Sequence, residues 1–162
     1  MKENLKSLDW DIEKIANALK ISSDDVKQYF TDGRRISFIL ERRIAKEFFG
    51  GKIADSEGAN FDFIDLDGKK WEVRSITKGG VYFCPSYMVG SSRCFEEKGF
   101  LDKLYSIEGY ILCDITTFPN VPFWVISAET VEQWWRSGKL KKDSKIIRHK
   151  ILTLIENLAP EN

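Results

Sequence analysis

Apolar residues recur at two different periods along this chain, and the change of period divides it. In DIEKIANALKISSDDVKQYF, which starts at Asp11, the residues Ile12, Ile15, Ala16 and Leu19 share one helix face. Ser22 and Ser23 offer an N-cap to a second short helix. Asp24 and Asp25 fall in its first turn, where the helix dipole favours acids. Val26, Tyr29 and Phe30 continue its apolar face. Gly33 interrupts the pattern. A longer helix then spans about residues 35–49, with Ile36, Ile39, Leu40 and Ile44 as its buried stripe, and Gly50 and Gly51 stop it.

From residue 60 the period falls to two. NFDFIDL, a turn at Asp67 and Gly68, and KKWEVRSIT predict a β-hairpin. VYFCPSYMV predicts a less regular strand ended by GSSR, and FEEKGFLDKLY a helix. GYILCDI is almost wholly apolar, as suits a strand buried on both faces. PFWVIS predicts one more strand; AETVEQWWRSG and DSKIIRHKILTLIENL predict two closing helices. This order predicts an α/β (α+β) protein, a mixed central β-sheet with flanking helices. Residues 1–33 form an N-terminal helical segment in this scheme, and residues 34–162 the core domain.

Composition narrows the function classes. A chain of 162 residues that is 43% hydrophobic can fill one domain core. Its formal net charge is zero, so nucleic-acid binding would have to rest on local patches. The three cysteines, Cys84, Cys94 and Cys113, contain no CxxC pair, which argues against a disulfide framework or a zinc site and suits a reduced, cytoplasmic setting. A single histidine, His149, disfavours a His-based metal site or a Ser/His triad. The N-terminus has no apolar run of signal-peptide length, and no segment is apolar enough to span a membrane.

Candidate chemistry gathers at the hairpin, FDFIDLDGKKWEVRS. Residues i and i+2 of a strand share a face, so Glu72 and Arg74 point one way while Trp71 and Val73 point the other. The hairpin returns Asp62 alongside them. Two carboxylates and a cation then meet on a small scaffold, an oxygen-donor setting that suits Mg²⁺. Such an ion binds a phosphate oxygen and acidifies a bound water, and the neighbouring cation stabilises developing charge. Taken alone, the pattern also fits a solvated hairpin with charges on its outer face.

This stretch resembles the core of the PD-(D/E)XK nuclease superfamily, type II restriction endonucleases in particular. Asp62 matches the first acid, Gly68 the turn and Glu72 the second acid; Arg74 stands where the family has Lys, and Ser75 also fits. The resemblance implies a restriction-endonuclease-like core in which Asp62, Glu72 and the Val73 carbonyl hold Mg²⁺. It also assigns the helix glutamate to Glu41 and the small residue one turn later to Ala45, in FILERRIAKEF. These matches cover residues 35–78, with looser agreement in element order to about 127. Arg has a pKa above about 12 and cannot act as a general base at neutral pH. Arg74 either replaces the Lys in a working enzyme, yields to another lysine such as Lys70 or Lys78, or marks a weakened site. Asp65 is the alternative first acid, and Asp67 a turn residue.

Other residues are candidates for contact with double-stranded DNA. Arg34, Arg35, Arg42 and Arg43 form a basic cluster beside the proposed site; some of them instead pair with Glu41 and Glu47. The resemblance places DNA-contacting segments after the catalytic strand, which points to Lys78, Tyr87, Ser91, Ser92 and Arg93, with Arg93 the arginine fork for a guanine or a phosphate. IEKIANALKISSDDVKQYF has helix-turn-helix spacing, with Lys20 where a glycine is usual, and fits a structural helical hairpin as well. Trp134 and Trp135 are core or interface aromatics, and the apolar closing helices suit a homodimer.

The leading expectation is a Mg²⁺-dependent DNA endonuclease of the restriction type, with Asp62, Glu72, Arg74 and Glu41 as catalytic residues. By the resemblance it leaves a 5′-phosphate and a 3′-hydroxyl. The alternatives are a non-catalytic DNA-binding protein using the N-terminal helices, or a nuclease-fold enzyme that nicks, repairs or cleaves RNA.

Overall fold

Each helix of the N-terminal region starts where a short polar side chain can accept a backbone N–H. The computed structural model describes residues 6–56 and 58–158. After strand β1 (Lys6–Asp9), Asp11 caps α1 (Ile12–Leu19) by accepting from Lys14 N. Lys20 ends that helix in the left-handed region at φ 57°. Ser22 and Asp25 form a capping box on α2 (Ser23–Phe30). Asp32 caps α3 (Gly33–Ile44), which runs into one π-helical turn over Ala45–Phe49 and stops at Gly50.

The hairpin region supplies β2 (Lys52–Ile53), β3 (Phe63–Ile64) and β4 (Lys70–Ile76). Then come β5 (Val81–Tyr82), α4 (Glu97–Ser106), β6 (Gly109–Asp114), β7 (Asn120–Ser127), α5 (Ala128–Arg136), β8 (Lys145–Ile146) and α6 (Arg148–Glu156). Six strands form the central sheet in the order β1-β7-β6-β4-β3-β2. Only β4 and β6 pair in parallel within it, and α4 lies in the long crossover that parallel neighbours require.

The sheet separates two apolar layers. Trp71, Val73, Ile111 and Cys113 face α1, α2 and α3, meeting Val26, Phe30, Ile36 and Leu40. Tyr110, Leu112 and Ile76 face α4, α5 and α6, meeting Phe100, Leu104, Trp134 and Ile151. Fully burying such a side chain contributes about 1.5–3 kcal/mol, so both layers hold the sheet. Ala16, Val26 and Phe30 share the first layer with the sheet, so the N-terminal helices have no core of their own. The protein is thus a mixed sheet with helices on both faces. Among the described residues, no helix is long and apolar enough to cross a membrane.

Besides β2, which no sequence pattern predicts, and β3, cut to two residues, three elements differ from the sequence-based expectation. Of VYFCPSYMV, only Val81–Tyr82 pairs as a strand; Pro85 has no N–H to give a ladder, and Ser86–Met88 form a 3₁₀ turn. The last expected helix begins at Arg148, because Lys145–Ile146 pair with β5 in a second small sheet. Gly80 allows that pairing, since a Cβ there would collide with the Ile146 carbonyl. Strand β1 carries one buried apolar residue, Leu8, too little for a visible period; its partner β7 defines it.

Candidate active site

Strand β3 is short because a side chain takes over its ladder. Phe63 pairs with Trp71 and Ile64 with Lys70, and Asp62 N still donates to Trp71 O at 2.9 Å. The next N–H along β4, that of Val73, donates instead to Asp62 Oδ2 at 2.7 Å. Backbone pairing therefore opens at Asp62. The Val73 carbonyl lies on the same strand edge as its N–H.

Glu72 is buried beside this opening, 8% exposed, on the sheet face that looks toward α4. Its Oε1 lies 2.8 Å from Arg74 Nη2, and its Oε2 lies 2.5 Å from Lys103 Nζ on α4. Lys103 is also buried and donates to the Asn60 carbonyl, just before Asp62 in the chain. Arg74 Nη2 donates to the Cys84 carbonyl at 3.1 Å, while its Nε is buried without a partner. One carboxylate thus holds two cations, and one guanidinium keeps an unused donor.

The remaining acids feel this crowding. Burial, then the charge of Glu72, pushes the Asp62 carboxyl up to about 6. Burial, then the charge of Asp62, pushes Glu41 up to about 7, with Arg42 opposing and Glu72 adding. Glu41 comes from α3, with buried Ala45 one turn further on. Three carboxyl groups therefore share one electrostatic neighbourhood, and positive charge there relieves all three.

The donor chemistry fits Mg²⁺, which accepts one or two carboxylates and keeps several waters. Asp62, Glu72 and the Val73 carbonyl are the oxygens that would hold it. No cluster of three or more His, Cys, Asp or Glu side chains close enough to hold a metal occurs among the described residues. The protein's set is thus lean, and both Glu72 oxygens are already engaged by cations.

Asp65 has a different job from Asp62. Its Oδ1 accepts from Asp67 N and Lys69 N, each at 2.9 Å, and its Oδ2 from Trp71 Nε1 at 2.8 Å. It builds the turn and points away from Glu72's cations. Neither lysine named from the sequence reaches the acids: Lys70 lies over the Phe61 ring, and Lys78 lines a shallow cleft with Thr116, Arg148 and His149. Lys103 reaches them instead. Its signal was present in the sequence: GFLDKLY sets a lysine on the apolar stripe between Phe100 and Leu104.

The basic candidates scatter. Arg34, Arg35 and Arg42 are exposed on α3. Arg43 is committed to the fold, bonded to Glu47 at 2.6 and 3.0 Å and to the Asp9 carbonyl at 2.9 Å, with its guanidinium over Trp10. Tyr87, Ser91, Ser92 and Arg93 are exposed in the loop after β5, where Arg93 Nη1 donates to the Ser86 and Val89 carbonyls. On α2, Ser23 donates to Glu13, while Asp24, Lys27 and Gln28 are exposed. Trp134 is buried against Phe83, and Trp135 packs on Phe95 and Phe100.

No protein-family model matches this chain, no curated protein matches it, and no solved structure matches it.

Proposed function

We propose that this protein is a Mg²⁺-dependent nuclease that hydrolyses phosphodiester bonds in DNA, of the PD-(D/E)XK type and with a restriction role. One observation carries the reading. The hairpin opens at Asp62, whose carboxylate accepts from Val73 N and feels the charge of Glu72, itself paired with Arg74 and Lys103. The motif resemblance and the succession of helix, hairpin, crossover helix and parallel strand support it further.

Bound Mg²⁺ supplies a polarised phosphate and an acidified water. The protein's own groups do the rest. Arg74, with an unused buried Nε–H, holds the scissile phosphate and its developing charge. Lys103 fixes the orientation of Glu72. It also supplies the ammonium that the motif position lacks. Glu41, the third acid in electrostatic reach, accepts a proton from the attacking water. Cutting both strands needs two such sites, so the proposed working form is a homodimer.

Plasmid cleavage with Mg²⁺ tests this. Wild type converts supercoiled DNA to nicked and linear forms, and Asp62→Ala and Glu72→Ala each abolish it. Mg²⁺-dependent cutting that survives both substitutions overturns the site; a correctly folded wild type that cuts neither DNA nor RNA overturns the reading.

A further inference from the structure

The solvent faces of α2 and α3 each carry an aromatic ring where a helix flank needs none. Phe38 is 59% exposed and Tyr29, at the end of α2, is 45% exposed. Each is covered by a guanidinium: Arg42 lies 3.3 Å from the Phe38 centroid, and Arg35 lies 5.2 Å from that of Tyr29. Arg34 is exposed one turn before Phe38. Single exposed apolar residues are ordinary. Two rings interleaved with three arginines on one surface are not, and this surface runs up to the proposed site, since Arg42 Nη1 lies 3.9 Å from Glu41 Oε2.

Resting on the nuclease reading, we propose that this face binds an unpaired stretch of a nucleic-acid strand, with Phe38 as a base-stacking platform. Charge complementarity selects the occupant: Arg34 is exposed, and Arg35 and Arg42 have only the long contacts to Asp32 and Glu41, at 3.6 and 3.9 Å, which a polyanion can replace. A phosphate competes for each guanidinium with the ring beneath it. As Arg42 and Arg35 turn to phosphates, the flat faces of Phe38 and Tyr29 open to bases. Every base has a π face, so the contact tolerates sequence. A continuous duplex keeps its bases stacked inward and offers these rings nothing. The substrate class that follows is a strand that is single or locally splayed near the cut.

Fluorescence anisotropy with the full chain in EDTA tests this without cleavage, using labelled oligothymidylate and a duplex of equal length. Phe38→Ala should weaken oligothymidylate binding about tenfold. Duplex affinity and melting temperature should stay unchanged. Phe38→Trp should keep the single-strand affinity. Arg42→Gln should weaken binding and flatten its salt dependence by about one phosphate contact. Oligothymidylate affinity unchanged in Phe38→Ala overturns the inference, even if plasmid cutting still depends on Asp62. Phe38-dependent binding by a protein that cuts nothing keeps the inference and overturns the nuclease reading. Loss of a dimer in Phe38→Ala by light scattering, with oligothymidylate affinity intact, assigns the face to a second copy and overturns the inference.

Discussion

Two buried carboxylates stand on neighbouring parallel strands, Glu72 on β4 and Asp114 at the end of β6, and their surroundings are built to different rules. Asp114 has one cation, Arg148 of α6, which reaches both oxygens at 2.5 and 3.3 Å. Thr116 adds its N–H and hydroxyl to Oδ1. One acid, one guanidinium and neutral donors close the set, and it joins α6 to the sheet. Glu72 has two cations, two further acids in electrostatic reach and a guanidinium Nε left unpaired. A structural ion pair satisfies its members; this cluster leaves one donor unpaired and its acids in mutual repulsion, which the proposed ionic ligand would relieve.

The sharpest break in this comparison is a matched pair of substitutions. On the proposed mechanism, Lys103→Met should slow cleavage by about a hundredfold or more, since it removes a preorganised charge that holds Glu72. Arg74 still faces Glu72, so the urea midpoint should move little. Arg148→Met should do the reverse. It strands Asp114 as a buried charge and should cost about 3 kcal/mol, with cleavage per folded molecule unchanged. If both variants lose stability and activity in the same proportion, the two pairs are of one kind.

Next comes pH. Asp62 and Glu41 titrate higher in the folded chain than carboxylates do ordinarily. Between about pH 4 and about pH 7 the native state therefore holds more protons than the unfolded chain, and metal-free stability should fall as pH rises through that window. Asp62→Asn should flatten the fall. Mg²⁺ binds the deprotonated acids, so its stabilisation in thermal melts should grow with pH over the same range. Melts that are parallel with and without Mg²⁺ at every pH would count against metal binding at these acids.

The smallest effect separates the two hairpin aspartates. Asp65→Ala removes acceptors for Asp67 N, Lys69 N and Trp71 Nε1, and should lose about 1 kcal/mol while leaving cleavage intact. A Mg²⁺-dependent activity lost with Asp65 and kept with Asp62→Ala would exchange their roles.

Much of the frame was legible because its causes are local. Helical spacing, with a Ser cap for α2, predicts α1, α2 and α3 closely, and alternation finds β4 with Trp71 and Glu72 on opposite faces. The pairing of β5 with β8 and of β1 with β7 was not legible, because each strand is short and joins a partner distant in the chain. The basic residues were legible as charge only. The i, i+4 spacing from Glu47 marked Arg43 as a paired residue, but its bond to the Asp9 carbonyl and the exposure of Arg42 on Phe38 were not local.

By itself the sequence determined the helices, the hairpin and the spacing that puts Glu72 and Arg74 on one strand face, since periodicity and capping act within a few residues. Tertiary structure decided which acid leaves the turn, which arginines stay exposed, and that Lys103 meets Glu72 across 31 positions. That meeting depends on a crossover helix docking over a parallel pair of strands. A lysine among apolar residues acquires its partner only when the sheet brings one.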